Sequence, residues 1–258
     1  MKNFIAKKAL GQHWLNDLAS LQAMCEAAEV GQADTVLEIG PGHGSLTKLL
    51  VKRAKQVVAV EKDKLLVKNL THQALADNLK IVEGDILKFD LDSLPAGYKI
   101  VANIPYYLSG SLFRLLTETA NPPAKAALLV QKEVAGRVYS QPGQMSVLAV
   151  SVKLVYEPSL GRVVSAGLFQ PPPKVDSQIL ILTHRPQPLF GNLDQVKFLR
   201  LVKAGFAGRR KKLRSSLSAS LQISKEQADR LLTQAGISSD LRAQNLSLAD
   251  WHSLYKNF

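Results

Sequence analysis

The chain has 258 residues, 46% of them hydrophobic, and carries 33 Lys and Arg against 21 Asp and Glu, a formal net charge of +12. That suffices for one large domain and a small one. No run of about 18 apolar residues suggests a membrane span, and the lone Cys25 excludes an internal disulfide. The basic residues at the start have no apolar stretch behind them, so a cytosolic rather than a secreted protein is expected. The basic balance favours a polyanionic partner, nucleic acid or an anionic membrane, with plain solubility as the alternative.

In chain order, Cys25 comes first, in the helical pattern "LQAMCEAAEV", where it reads as a core residue rather than a nucleophile. Strand and helix signals then alternate. "TVLEIG" is a β-rich run, followed by a glycine turn and the helical "SLTKLLVKRA". "QVVAVE" is a second strand and "KDKLLVKNLTHQALA" a second helix. "LKIVEGD", "YKIVANI" and "AKAALLVQ" read as further strands, with the helical "SGSLFRLLTET" before the last. Apolar runs separated by helices predict a mostly parallel sheet covered on both faces, an α/β fold. "MSVLAVSVKLVYEPSL" and "SQILILTHR" read as two more strands without a long helix between them, an antiparallel pair at the sheet edge.

Composition shifts at Pro186-Gln187-Pro188, which divides the chain into domains of residues 1–186 and 187–258. The second part reads as all-helical, with 12 Lys and Arg against 5 Asp and Glu. In "DQVKFLRLVKAGF", Val196, Leu199, Val202 and Phe206 form one face, and Lys197, Arg200 and Lys203 another. Ser224 and Gln227 have capping-box spacing, and Ser247 opens a last short helix.

The polar strand ends carry the chemistry. Gly40, Gly42 and Gly44 follow a strand and open a helix, letting the backbone approach a ligand closely. Glu61 ends the next strand, about 20 residues on, where a carboxylate can take a ribose diol. The glycine spacing departs from the dinucleotide fingerprint, and Glu38 lies two residues before the first glycine. A pyrophosphate disfavours that carboxylate, and a sulfonium cofactor with an ammonium group tolerates it. Asp85 is either an acceptor for an adenine amine or a helix N-cap. "VANIPYY" ends the fourth strand with an amide, Asn103, then Ile104, Pro105, Tyr106 and Tyr107. Pro105 cannot continue a central strand. No Cys/His set has zinc spacing, and His43, His72 and His184 are read as surface or loop residues.

Together, "EIGPGHGSLT", "VEKD", "EGDIL" and "NIPYYLS" resemble the class I methyltransferase domain of ribosomal RNA adenine N6-dimethyltransferases. "KKALGQHWLND", "LFQPPPKVDSQIL" and "FAGRRKKLRSSL" extend the resemblance over almost the entire chain. The triple proline and "RRKKLRSSL" favour the branch that dimethylates two adjacent adenosines near the 3′ end of 16S rRNA in the small subunit. The resemblance implies a Rossmann-like domain with a seven-stranded, mostly parallel sheet, plus the helical domain. S-adenosylmethionine would contact His13, Leu15, Gly40, Glu61, Asp85 and Asn103. His13 stands where this family more often has asparagine, and Trp14 where it has phenylalanine.

Adenine N6 would be held by the Asn103 side-chain oxygen and the Ile104 carbonyl, with Pro105 fixing the turn. Tyr106 would stack on the base, with Phe169 on its opposite face. Tyr107 is assigned to packing beneath the turn. Lys7, Lys8, Arg209, Arg210, Lys211, Lys212 and Arg214 would meet RNA phosphates, a solvated basic face being the alternative. A monomer without bound metal is expected.

Overall fold

The structure, a computed structural model, describes residues 12–208 and 210–258. The chain forms two compact units. One runs to Ala135 and resumes over Glu157–His184; the other comprises Gly136–Tyr156 and Arg185–Phe258.

In the first unit, a short β1 (Trp14–Leu15) precedes α1 (Leu18–Ala27), which Asp17 caps by accepting the Ser20 N–H. The alternation expected from the sequence follows as β2 (Thr35–Ile39), α2 (Thr47–Arg53), β3 (Gln56–Glu61), α3 (Lys64–Gln73) and β4 (Leu79–Glu83). After two single 3₁₀ turns come β5 (Lys99–Asn103), α4 (Ser109–Glu118), β6 (Lys125–Gln131) and α5 (Lys132–Tyr139), whose residues from Gly136 on belong to the other unit. The unit closes with β7 (Tyr156–Val164), β8 (Phe169–Gln170) and β9 (Ser177–His184).

Seven strands make one sheet in the order β4-β3-β2-β5-β6-β9-β7. The β2–β3, β3–β4, β2–β5 and β5–β6 pairs are parallel, and β9 runs antiparallel to β6. Val36, Leu37, Glu38 and Ile39 are buried in succession, so both faces of the sheet are covered. The chain winds outward through β3 and β4 on one side of β2, then returns to its other side with β5. That reversal opens a crevice at the carboxyl ends of β2 and β5, where open α/β sheets bind ligands. Outside this sheet, β1 pairs antiparallel with β8, setting Trp14 opposite Gln170 and Leu15 opposite Phe169.

The second unit contains α6 (Val147–Val155), α7 (Gln195–Phe206), α8 (Leu213–Leu221), α9 (Lys225–Gln234) and α10 (Leu248–Lys256). Its core gathers Val150, Phe198, Leu201, Leu217, Leu232 and Trp251. Capping boxes open α9 at Ser224–Gln227 and α10 at Ser247–Asp250.

Three expectations are corrected. "MSVLAVSVKLVYEPSL" is not one strand: its first half is α6, capped by the Ser146 hydroxyl accepting the Ala149 N–H, and only the second half enters β7. A continuous apolar run carries no period, and burial of Ala149, Val150, Val152 and Leu154 overrides the strand preference of its valines. The helical unit therefore takes in residues 136–156, ahead of the boundary expected at 186. In α7 the buried face is Phe198, Leu201 and Val202, whereas Val196 is 81% exposed. No helix among the described residues is long and apolar enough to cross a membrane.

Candidate active site

The crevice at the strand ends is a cleft of about 190 Å³. Gly40, Glu61, Asp85 and Asn103, from the ends of β2 to β5, line it together with His13, Ile104, Pro105 and Tyr106. Among the described residues, no group of three or more His, Cys, Asp or Glu could hold a metal ion. Cys25 is fully buried, and that burial pushes its thiol up.

The glycine turn is built for close approach. Gly40 and Gly42 have φ values of +66° and +58°, which side chains other than glycine rarely adopt. No atom lies within 4 Å of where a Gly40 Cβ would stand, so the space beside it is open. A Cβ on Gly42 would come within 3.3 Å of Trp14 Cδ1, because the Trp14 ring packs over the turn. His43 meets the same ring edge-on at 4.2 Å.

Two buried carboxyl groups border this turn, and one of them braces it. Glu61 accepts the Gly42 N–H at 3.2 Å through Oε2 and the Asp63 N–H at 2.8 Å through Oε1. Burial raises its pKa, and these backbone hydrogen bonds work against the rise. Glu38 is fully buried, and its Oε2 has no hydrogen-bond partner. Burial pushes Glu38 up to about 8; the nearby Thr47 hydroxyl opposes this and the Glu61 charge adds to it. Burial thus favours the neutral form of Glu38. It borders a small side cavity that shares Trp14, Gly40, Gly42 and Asn103 with the main cleft.

Asp85 fulfils the capping alternative: its Oδ1 accepts the Leu87 N–H at 3.0 Å. Its Oδ2 pairs with Lys62 Nζ at 2.9 Å, and this cation is the main cause that holds the carboxyl below its ordinary range.

At the end of β5, the Ile104 N–H donates to the Leu129 carbonyl and anchors the turn to β6. Pro105 then leads into a single 3₁₀ turn, Tyr106–Leu108. Asn103 Nδ2 donates to the His13 carbonyl at 3.0 Å. The Tyr106 hydroxyl lies 2.8 Å from Ser177 Oγ, and its ring stacks on His13 with centroids 5.6 Å apart. Burial raises the Tyr106 phenol, which stays neutral. Sequence reasoning assigned no role to Ser177, Lys62 or Trp14, although all three lie within the motifs that carry the resemblance.

Two ring assignments are corrected. Phe169 is 4% exposed and lies in the core with Leu15, which faces it across the β1–β8 pair, so its ring is not presented to the cleft. Tyr107 is 58% exposed at the cleft mouth rather than packed beneath the turn. The Leu15 side chain is likewise core and lines only the side cavity.

In the helical unit the basic run separates into two kinds of residue. Lys212 pairs with Asp240 at 2.6 Å, and Arg214 pairs with Asp229 at 3.0 Å, tying α8 to α9. Arg210 and Lys211 are exposed, with no acidic partner among the described residues. Lys7, Lys8 and Arg209 lie outside the described residues.

The strand order, the antiparallel β9 and a ligand cleft at the switch point define a class I methyltransferase. Residues 3–258 match the family described as ribosomal RNA adenine dimethylase, and the chain belongs to that family. It is 40% identical over 253 residues to the ribosomal RNA small subunit methyltransferase A of Dehalococcoides mccartyi, covering 96% of this chain and 87% of that protein. Its identity with the protein of that name from Thermosynechococcus vestitus is 42% over 257 residues, covering 96% and 95%. Among solved structures, a dimethyladenosine transferase from Plasmodium falciparum superposes with a TM-score of 0.81 at 27% identity, covering 94% of this chain and 96% of that one. The 23S rRNA methyltransferase ErmE gives 0.77 at 27% identity, covering 95% and 98%.

Proposed function

We propose that this chain uses S-adenosylmethionine to dimethylate N6 of two adjacent adenosines near the 3′ end of 16S rRNA, within the small ribosomal subunit. The observation that carries the reading is the convergence of Gly40, Glu61, Asp85, Asn103 and Tyr106 on one cleft at the switch point of the sheet. The small-subunit assignment draws support from relatives named for that subunit at about 40% identity. The reading also implies a cytoplasmic protein with a role in small-subunit biogenesis.

The residues present fit such a cofactor. The open space beside Gly40 admits the backbone approach of a ligand, and the unpartnered Glu38 Oε2 beside the cleft suits a cationic one. When bound, the cofactor supplies the electrophilic methyl group. Glu61 takes the ribose hydroxyls while bracing the turn, and Asp85 stands where an exocyclic adenine amine can donate. His13 lines the same cleft, and Leu15 lines the side cavity that adjoins it.

The adenine amine of the RNA is a weak nucleophile, because its lone pair is delocalised into the ring. Asn103 Oδ1 and the Ile104 carbonyl accept its two N–H bonds and favour a more tetrahedral nitrogen. Pro105 fixes the turn that presents these acceptors, and Tyr106 stacks on the everted base in place of its neighbours in RNA. The surplus proton leaves to water, so the rate gain comes from orientation and electrostatics rather than from a general base. Arg210 and Lys211 contact phosphates.

Incubation with labelled S-adenosylmethionine and immature small subunits tests the reading. Label in N6,N6-dimethyladenosine of 16S rRNA is expected. Absence of label under conditions where the protein binds the subunit would refute it.

A further inference from the structure

The consecutive tyrosines of "NIPYYLS" end in opposite situations. Tyr106 and Tyr107 share the single 3₁₀ turn after Pro105, in which successive side chains point about 120° apart. Tyr106 is drawn inward: its hydroxyl meets Ser177 Oγ and its ring stacks on His13. Tyr107 is turned outward at the cleft mouth, 58% exposed, and among the described residues no ring stacks on it. Lys62 also lines the cleft, and its ammonium is raised above the ordinary range by Asp85 and, more weakly, by Tyr107. The Lys62 side chain is 56% exposed and gives one of its three N–H donors to Asp85. A flat, unpartnered ring and a cation with donors to spare thus stand within electrostatic reach of each other beside Tyr106.

We propose that Tyr107 binds the nucleotide adjoining the target adenosine, its ring stacking on that nucleotide's base while Tyr106 holds the target itself. Turning an adenosine out of an RNA strand uncovers one face of the base beside it. A ring at the mouth of the cleft replaces the lost stacking. Lys62 offers its remaining donors to the phosphate between the two nucleotides. Stacking on an aromatic side chain tolerates any sequence, because every base has a π-face. One exposed ring therefore serves each of two adjacent adenosines as it enters the cleft in turn. Tyr107 flanks Tyr106 on one side only, so the neighbour it holds differs between the two methylations. The proposal rests on the reading of Tyr106 as the residue that stacks on the target base.

The test compares the full chain with Tyr107→Ala, Tyr107→Phe and Tyr107→Leu on immature small subunits. Tyr107→Ala is expected to raise KM for the subunit about fivefold to a hundredfold. Its affinity for S-adenosylmethionine, measured by calorimetry, should stay within about twofold. Tyr107→Phe keeps the ring and should behave as the unaltered protein. Tyr107→Leu keeps apolar area without a π-face and should resemble the alanine variant. Mass spectrometry of the two adenosines should show unequal slowing in Tyr107→Ala. An unchanged KM in the alanine variant, or full function in the leucine variant, would overturn the stacking role. Equal slowing at both adenosines would overturn its one-sided placement. A loss of cofactor affinity matching the rise in KM would put Tyr107 on the cofactor instead and overturn the proposal. If the unaltered protein itself fails to methylate the subunit, the reading of Tyr106 is refuted and the proposal falls with it.

Discussion

The cleft of the sheet unit and the basic run of the helical unit were both marked in the sequence by clusters of functional residue types, and they differ in how far the fold specifies them. In the cleft, most of the polar groups are already engaged: Glu61 with the Gly42 and Asp63 amides, Asp85 with Lys62 and the Leu87 amide, Asn103 with His13. In the basic run, Lys212 and Arg214 are engaged by Asp240 and Asp229, while Arg210 and Lys211 are exposed without an acidic partner among the described residues. A directional network fixes geometry and so carries catalysis; a set of exposed charges fixes little beyond affinity. Substitutions in the two regions should therefore differ in kind.

The largest effect is expected at Asn103. Removing its acceptor with Asn103→Ala should lower kcat by about 10²- to 10³-fold, the scale of losing one preorganised polar group, while small-subunit binding persists. Next is Tyr106→Ala, which should cost roughly 1–3 kcal/mol of base stacking, read as a higher KM for RNA with nearly unchanged cofactor affinity. Equal losses in both quantities would place Tyr106 on the cofactor side of the cleft.

Glu38 gives the cleft a pH signature that exposed lysines and arginines cannot produce. Its pKa is raised from an ordinary 4.5 to about 8, so within that window the folded protein holds a proton that the unfolded chain has lost. Stability of the cofactor-free protein should accordingly fall as pH rises through this window, by at most about 1.4 kcal/mol per pH unit, and level off above it. Thermal unfolding from pH 5 to 9 should show this slope, and Glu38→Gln should flatten it. A cationic cofactor favours the ionised form, so its binding should release a proton at neutral pH and tighten as pH rises towards 8. A wild-type profile as flat as that of the variant would remove the basis for a buried neutral carboxyl.

The smallest effects belong to the basic run and split it. Replacing Arg210 and Lys211 with glutamine should weaken RNA binding and make its logarithmic salt slope shallower by roughly one to two. Lys212→Gln should instead cost about 0–1 kcal/mol of folding stability, as exposed ion pairs do. If all four positions changed the salt slope alike, the ion pairs would not distinguish them.

Much of this was legible in the sequence, for physical reasons that also mark where legibility ends. Glycine, proline and polar strand ends announce a backbone geometry, and the strands through Asn103, the capping box at Ser224 and the helix opening at Ser247 followed. The continuous apolar run before Tyr156 carried no period, so α6 was read as a strand. Phe169 shows the limit for a side chain. Its motif marks the segment, but only the β1–β8 register reveals that its ring is turned into the core. Pairings between distant residues were likewise invisible: nothing in the sequence joins His13 to Pro171, Tyr106 to Ser177 or Arg214 to Asp229.

Mapping methylated nucleosides in 16S rRNA from cells lacking this protein tests the central claim most directly. Two adjacent N6,N6-dimethyladenosines near the 3′ end should disappear. They should return with the unaltered chain and stay absent with Asn103→Ala. An unchanged methylation pattern in the absence of the protein would contradict the account.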